Sequence, residues 1–329
     1  MGADSGNRHG PGAGPAGRGG RGRRVGSQPI RGGSGAQRAA CVSALGSVSL
    51  GQVAEAVERA RSVELSAWTL KPGVLERALE RAGDRGADVA VHLESRPYSD
   101  SKLRARRLHR QNVDTAAALR HHGVRVDLRA ERNAPLHLKA AIVDGTAFLD
   151  ERNWANSDAA IVATQRPQDV ALVADALHGR SGASESFATR KDAALALEAD
   201  VIERAPPGGA VRLSTETFGP GPVATALEAR ARSGAEVRVV VDRLAARESS
   251  GAFERSELAR LRAAGAQVRV ADRPPKECLA GDEAWAGSAN ATSANPRGLD
   301  WGMRIGEPAL VAAIANDFER VWQRGRAVI

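Results

Sequence analysis

Aromatic side chains are scarce in this sequence, at 3% of 329 residues with a single tyrosine, Tyr98. An aromatic-studded basic groove of the kind on which single-stranded bases stack is therefore not written into the chain. Cysteine is as rare: Cys41 and Cys278 lie far apart and neither belongs to a CxxC pair. That excludes a disulfide framework and a cysteine-built zinc site, and makes a reducing compartment the default. No GxxxxGK sequence is present to cradle a nucleoside triphosphate, and no HxxxH cluster to hold a metal. No apolar run approaches the roughly eighteen residues of a membrane span. The stretch after Arg38, AACVSALGSVSL, is interrupted by Ser and Gly and lies too deep for an ordinary signal peptide. A cytoplasmic location without a membrane span is expected.

Charge of one sign is present, but in one place. The formal net charge is +8, and residues 1–38 hold seven Arg against one Asp. The remaining body is close to neutral. A segment such as GPGAGPAGRGGRGRR cannot bury enough apolar surface to offset its chain entropy, so residues 1–46 are expected to be a disordered Gly/Arg-rich tail. Such a tail either touches polyanions by charge alone or is a solvated extension.

Beyond the tail the chain repeats itself. Val63 to Val91 aligns without a gap onto Val211 to Val239 at a constant offset of 148, and 13 of the 29 positions are identical. That period is too long for a solenoid. Each copy must be a domain-sized half, expected at 47–185 and 186–329, in a monomer that forms its own internal pseudo-dimer. Within each copy the apolar spacing changes from helical to alternating and back: helix (50–61; 193–204), strand (63–70; 211–218), Pro-Gly turn, amphipathic helix, strand (88–93; 236–241), helix (102–121; 253–263), a stop at Gly123 or Gly265, and a short strand. This βαβ order predicts an α/β fold: two duplicated α-β-α sandwich halves, each with a mixed sheet, related by a pseudo-twofold axis.

Late in each half comes a run rich in phosphate-binding residue types. The first is HLKAAIVDGTAFLDERNW, with His137, Lys139, Asp144, Asn153 and Trp154; the second is KECLAGDEAWAGSAN, with Lys276, Ser288 and Asn290. Lysine and asparagine are fourteen residues apart in both. The HxKxxxxD pattern, the GSxN pattern at Gly287, Ser288 and Asn290, and their place in a duplicated frame resemble the phospholipase D superfamily, over nearly all of 47–329.

The resemblance implies a phosphodiesterase acting on a phospholipid or nucleic-acid phosphodiester, with no metal and no cofactor. Lys139, Lys276, Asn153 and Asn290, aided by Ser288, would stabilise the charge that gathers on the non-bridging oxygens. His137 would attack phosphorus to form a phosphohistidine. Such an imidazole needs a carboxylate on its other nitrogen. Asp158 in NSDAAIV and Asp300 in GLDWGMRI take the family's acidic position in the two halves, and Asp158 is the candidate expected to orient His137. Asp144 either belongs to the site or holds the turn before Gly145.

The sequence also departs from the family pattern. With Lys276 set on Lys139, Pro274 stands where the second histidine belongs, and Gly281 where the second aspartate belongs; in the first half Asp150-Glu151 replaces the Gly-Ser pair. The missing histidine would protonate the leaving oxygen and then activate water. Either another group substitutes, with Glu151 and Asp150 nearest by position, or the fold serves as a catalytically silent phosphate or nucleic-acid binding module. Otherwise Glu151 is a lysine partner. Trp154 and Trp301 either line a substrate pocket or fill the wall between the halves. His92, at a strand end, and His109, His121 and His122, on a helix with Arg neighbours, are read as structural or solvated; His9 and His178 are assigned nothing.

Overall fold

The computed structural model describes residues 45–99, 101–129, 136–155, 161–243 and 251–327. The expected tail, residues 1–46, falls outside them except for its last two residues. Those two begin β1 (Leu45–Val48), whose partner strand lies more than a hundred residues later. Ser49 then caps α1 (Leu50–Arg59): the Gln52 amide donates to the Ser49 hydroxyl, and the Ser49 amide donates to the Gln52 side-chain oxygen.

The first half continues through β2 (Ser62–Ala67), α2 (Val74–Asp84), β3 (Asp88–Glu94), α3 (Lys102–His121), β4 (Arg125–Arg129), β5 (Ala140–Val143), β6 (Thr146–Leu149), β7 (Ile161–Thr164) and α4 (Pro167–Leu177). The second runs β8 (Phe187–Ala188), α5 (Lys191–Arg204), β9 (Val211–Thr215), α6 (Pro222–Arg232), β10 (Val237–Asp242), α7 (Gly251–Ala263), β11 (Gln267–Ala271), β12 (Glu277–Ala280), β13 (Glu283–Gly287), β14 (Gly302–Ile305), α8 (Pro308–Arg324) and β15 (Arg326–Ala327). The anticipated strands at 63–70 and 211–218 end earlier, at Ala67 and Thr215. Beyond those points the backbone turns toward the Pro-Gly pairs and its amides bond to side chains instead: Leu70 N–H donates to Asn112 and Phe218 N–H to Glu254.

The strands form two mixed sheets, ordered β1-β7-β6-β5-β2-β3-β4 and β15-β11-β10-β9-β12-β13-β14-β8. In each, a parallel trio (β2, β3, β4; β9, β10, β11) adjoins an antiparallel hairpin that carries the lysine motif. The registers repeat as well. Ser66 pairs with Ala140 in one half and Ser214 with Glu277 in the other, so the motif strand meets the same point of the duplicated frame twice.

Alternation along these strands feeds separate cores. Leu65, Val91, Ala141 and Phe148 pack with α1, α2 and Leu119 of α3. Leu213, Val239 and Cys278 pack with α5, α6 and α7. The opposite faces of both sheets contribute Ala140, Leu149, Leu279 and Met303, with α4 and α8, to a third cluster that holds residues of both halves. Burial of apolar surface at about 25 cal/mol per Å² makes this shared layer the main tie between the halves. No described helix is long and apolar enough to cross a membrane.

Candidate active site

Because β5 runs antiparallel to β2, and β12 to β9, the residues leading into β5 and β12 sit at the carboxyl ends of the parallel strands, the usual place for a site in an α/β sheet. His137 and Lys139 arrive there from the first half and Lys276 from the second. A backbone bridge between Leu136 and Leu299 sets the two segments side by side. The next residue of each is the central pair: His137 Nδ1 lies 2.6 Å from Asp300 Oδ1. Asp300 in turn accepts a 2.8 Å bond from the Ser288 hydroxyl, which itself accepts from the Trp301 amide.

Asp300 is buried, yet its carboxyl is held down at about 2, because the nearby His137, Lys139 and Lys191 outweigh the penalty of burial. Burial and the neighbouring Lys139 push the His137 imidazole below its usual range, with Asp300 opposing them. A neutral ring that gives its Nδ1 proton to Asp300 leaves the Nε2 lone pair free, the state a nucleophile requires.

The two lysines differ. Lys139 is 1% exposed, donates 2.6 Å to the His137 carbonyl, and is pushed down to about 7 by burial, with Lys276 adding to the effect. Burial depresses Lys276 as well, but Glu216 and Glu151 reverse the effect and raise it above the ordinary lysine value. Its Nζ lies 3.3 Å from Glu216 Oε2 and donates 3.2 Å to the Glu151 carbonyl. An anion placed beside it would favour the charged form of Lys139.

Asn153 and Asn290 follow the two hairpins, as their equal spacing to the lysines anticipates. In both, the side-chain oxygen is buried without a partner among the described residues. Asn153 and Trp154 have φ of 60° and 55°, a left-handed bend that Asn tolerates better than most. Asp150 secures that bend: its Oδ2 accepts from the amides of Arg152 and Trp154, and burial pushes its carboxyl up to about 6.

Several side chains with an expected part in the site are turned to other work. The Ser288 hydroxyl is taken up by Asp300 and Trp301. The Glu151 carboxylate accepts from the Lys276 amide at 2.5 Å and from Arg152 at 2.7 Å, which makes it a partner of the lysine segment. Trp154 and Trp301 are 5% and 1% exposed and fill walls, with indole N–H groups on the carbonyls of Ser66 and Asp150. Asp144 sits at the far end of β5, where its carboxylate accepts from the amides of Arg61 and Ser62. The partner of His137 comes from the opposite half; Asp158 lies outside the described residues. His92 bonds Glu64 at 2.9 Å, away from the motif lysines.

Four residues at the site carry no motif signal. Trp68 packs edge-on against His137, with ring centres 5.5 Å apart, and Tyr98 against Trp68 at 4.6 Å. The Tyr98 hydroxyl is pushed up to about 12 by burial and by the charges of Asp300 and Glu216, so it stays a donor. Lys191, 6% exposed, lines a small polar cavity with His137, Tyr98, Asn290 and Asp300. Glu216, the fourth, was legible only through the duplication, as the counterpart of Trp68. Among the described residues no three His, Cys, Asp or Glu side chains converge as a metal cluster.

Two α/β halves thus meet at a histidine-carboxylate pair flanked by buried lysines. Residues 200–322 match the family described as "Cardiolipin synthase, PLD-like domain". Phosphatidylserine synthase of Haemophilus influenzae Rd KW20 superposes with a TM-score of 0.61 at 11% identity, covering 87% of each chain. Polyphosphate kinase of Porphyromonas gingivalis gives 0.60 at 14% identity over 86% of this chain, which spans 48% of that protein's length. Nuc of Salmonella typhimurium, a phospholipase D family member, aligns at 18% identity over 44% of this chain and 95% of its own, with a TM-score of 0.38. No curated protein matches the sequence. The second half therefore carries a PLD-like domain match, and the fold in two repeated halves is similar to that of the phosphatidylserine synthase and polyphosphate kinase structures.

Proposed function

We propose that this protein is a phosphodiesterase of phospholipase D type, acting on a phospholipid or nucleic-acid diester through a phosphohistidine at His137. The fold supports phosphodiester or phosphoryl-transfer chemistry in general. The observation that carries the finer reading is the 2.6 Å pair between His137 Nδ1 and Asp300, beside two buried lysines drawn from different halves. In this reading Lys139, Lys276, Asn153 and Asn290 hold the non-bridging oxygens and stabilise the negative charge of the transition state. Asp300, steadied by Ser288, fixes the tautomer and aim of the imidazole. The donor set calls for no metal.

Pro274, in place of a second histidine, favours one other reading, a phosphate-binding module without turnover. Labelling separates them. Incubation with a panel of ³²P-labelled diesters, quenched in alkali, is expected to leave label on His137. His137→Ala should abolish the label and lower turnover by ~10³-fold or more, as removal of a covalent nucleophile does, with phosphate affinity nearly kept. Binding through the lysines without label or turnover in the parent would establish the binding module instead.

A further inference from the structure

Trp68 follows Ser66 by two residues and Glu216 follows Ser214 by two. Since Ser66 and Ser214 pair with equivalent points of the motif strands, Glu216 stands toward Pro274 as Trp68 stands toward His137. Trp68 touches His137; Glu216 therefore occupies the side of the site from which the second histidine is missing. Its side chain is 54% exposed, with Oε2 3.3 Å from Lys276 Nζ, and its charge is felt by His137 and Lys139 as well.

The other carboxylates described at the site are engaged. Asp300 is bound to His137 and Ser288, Glu151 to the Lys276 amide and Arg152, and Asp150 to two backbone amides. Among the described carboxylates of the site, Glu216 is the one that meets both the Lys276 ammonium and solvent. Held ionised by Lys276, it can accept a proton but has none to give at neutral pH. The Tyr98 hydroxyl, pushed up to about 12, is a poor acid, and the lysines are needed as charges on the phosphate.

We propose that Glu216 replaces the missing histidine as a base only, and that the site is thereby matched to phosphoanhydride diesters, whose leaving group is itself a phosphate. This rests on His137 as the nucleophile. In the first step the Nε2 lone pair forms an N–P bond while the bridging P–O bond breaks, and its electron pair departs on the leaving phosphate oxygen. No proton is required, because that oxygen is stable as an anion. In the second step the oxygen of water, or of an acceptor alcohol, forms the new P–O bond. The P–Nε2 bond breaks, its pair returns to the imidazole, and the proton passes to a Glu216 oxygen and then to solvent. A simple dialkyl diester would have to expel an alkoxide unaided, and so forgoes the ~10²–10⁴-fold that a general acid supplies.

Rapid-quench kinetics on the full-length protein test this with three probes: a nucleoside diphosphate diester, a dialkyl phosphate, and a series of aryl phosphodiesters graded in leaving-group pKa. The anhydride is expected to react at least 10²-fold faster than the dialkyl ester, and aryl rates to fall steeply as leaving-group pKa rises. With Glu216→Gln a first-turnover burst should remain, while the steady-state rate falls by at least ~10-fold and ³²P accumulates on His137; Glu216→His should recover much of the steady rate. If Glu216→Gln slows burst and steady state by one factor, or changes neither, or if the dialkyl ester is cleaved as fast as the anhydride, the proposal is overturned while the nucleophile stands. Absence of label on His137 with every probe overturns both.

Discussion

The two halves share a frame and differ at its corners. Where the frame needs a backbone amide tied down, each half supplies an acceptor of different identity: Leu70 N–H goes to Asn112 and Phe218 N–H to Glu254, Leu136 N–H goes to Glu94 and Arg273 N–H to Asp242. The geometry survives in both pairs; in the first an amide is exchanged for a carboxyl, and burial pushes Glu254 up to about 7 where the neutral Asn112 carries no such penalty. Where the frame meets the candidate site, the residue types are divided instead. The first half keeps His137 and Lys139; the second keeps Lys276 and contributes Ser288 and Asp300. A pair of near-copies can thus bring one cluster of such residues together between them, with each half lacking what the other retains.

The largest test of that division bears on the carboxylate of the histidine. Asp300→Asn removes the charge that fixes the Nδ1 proton and is expected to lower kcat by ~10²–10⁴-fold. Because Asp300 is also what opposes the depression of the His137 imidazole, the acid limb of the rate profile should move to lower pH. Asp158→Asn, in the equivalent position of the first half, should have a far smaller effect. Equal losses would mean that each half supplies its own acid, and the crossed arrangement would be wrong.

The frame was legible in the sequence because periodicity and the 148-residue offset are properties of the chain itself. The helix 102–121 and the glycine stops at Gly123 and Gly265, with φ of 76° and 107°, needed no tertiary information. The lysines and His137 were legible as residue types at a spacing. The crossing of Asp300 to His137 was not, since nothing local says whether a carboxylate serves its own half or the other. The alternatives open for Glu151 and Trp301, and the hydrogen-bond partner of Ser288, were not legible for the same reason: a hydroxyl, a carboxylate and an indole near a phosphate motif fit a ligand contact and a supporting hydrogen bond equally well, and only packing chooses. Glu216 carries no motif signal of its own, because it stands at a mismatched position of the repeat, opposite Trp68.

A smaller effect distinguishes the lysines. Phosphate binds the charged ammonium, and Lys139, at about 7, begins to lose that charge as pH rises through neutrality, while Lys276, raised by Glu216 and Glu151, keeps its own. Affinity for inorganic phosphate, measured by calorimetry, should therefore fall above pH 7. Lys139→Met should weaken binding at pH 6 by ~10–10²-fold, the worth of one charge-assisted hydrogen bond, and should flatten this limb. Lys276→Met also weakens binding but should move the limb to higher pH, because Lys276 is one of the charges that depress Lys139. A limb that persists in Lys139→Met would assign it to another group.

The smallest effect settles Asp144, the one HxKxxxxD residue that lies at the far end of β5 from His137 and Lys139. Asp144 and its counterpart Gly281 stand at the tips of the two motif hairpins with φ of 45° and 66°. A left-handed tip suits glycine, and aspartate is among the few other residues that tolerate it. In the first half the aspartate does something further: its carboxylate receives the amides of Arg61 and Ser62 and so fastens the hairpin to the start of β2. Asp144→Ala loses those bonds and places an alanine at positive φ, which should cost about 1–2 kcal/mol of unfolding free energy. Gly281→Ala brings the same strain together with a Cβ 3.1 Å from the Pro206 ring, and should cost about 1 kcal/mol. Both variants should keep kcat and phosphate affinity within about twofold, since surface changes away from a site rarely reach its chemistry. A large fall in kcat for Asp144→Ala at full stability would return that aspartate to the active site and break the equivalence of the two hairpin tips.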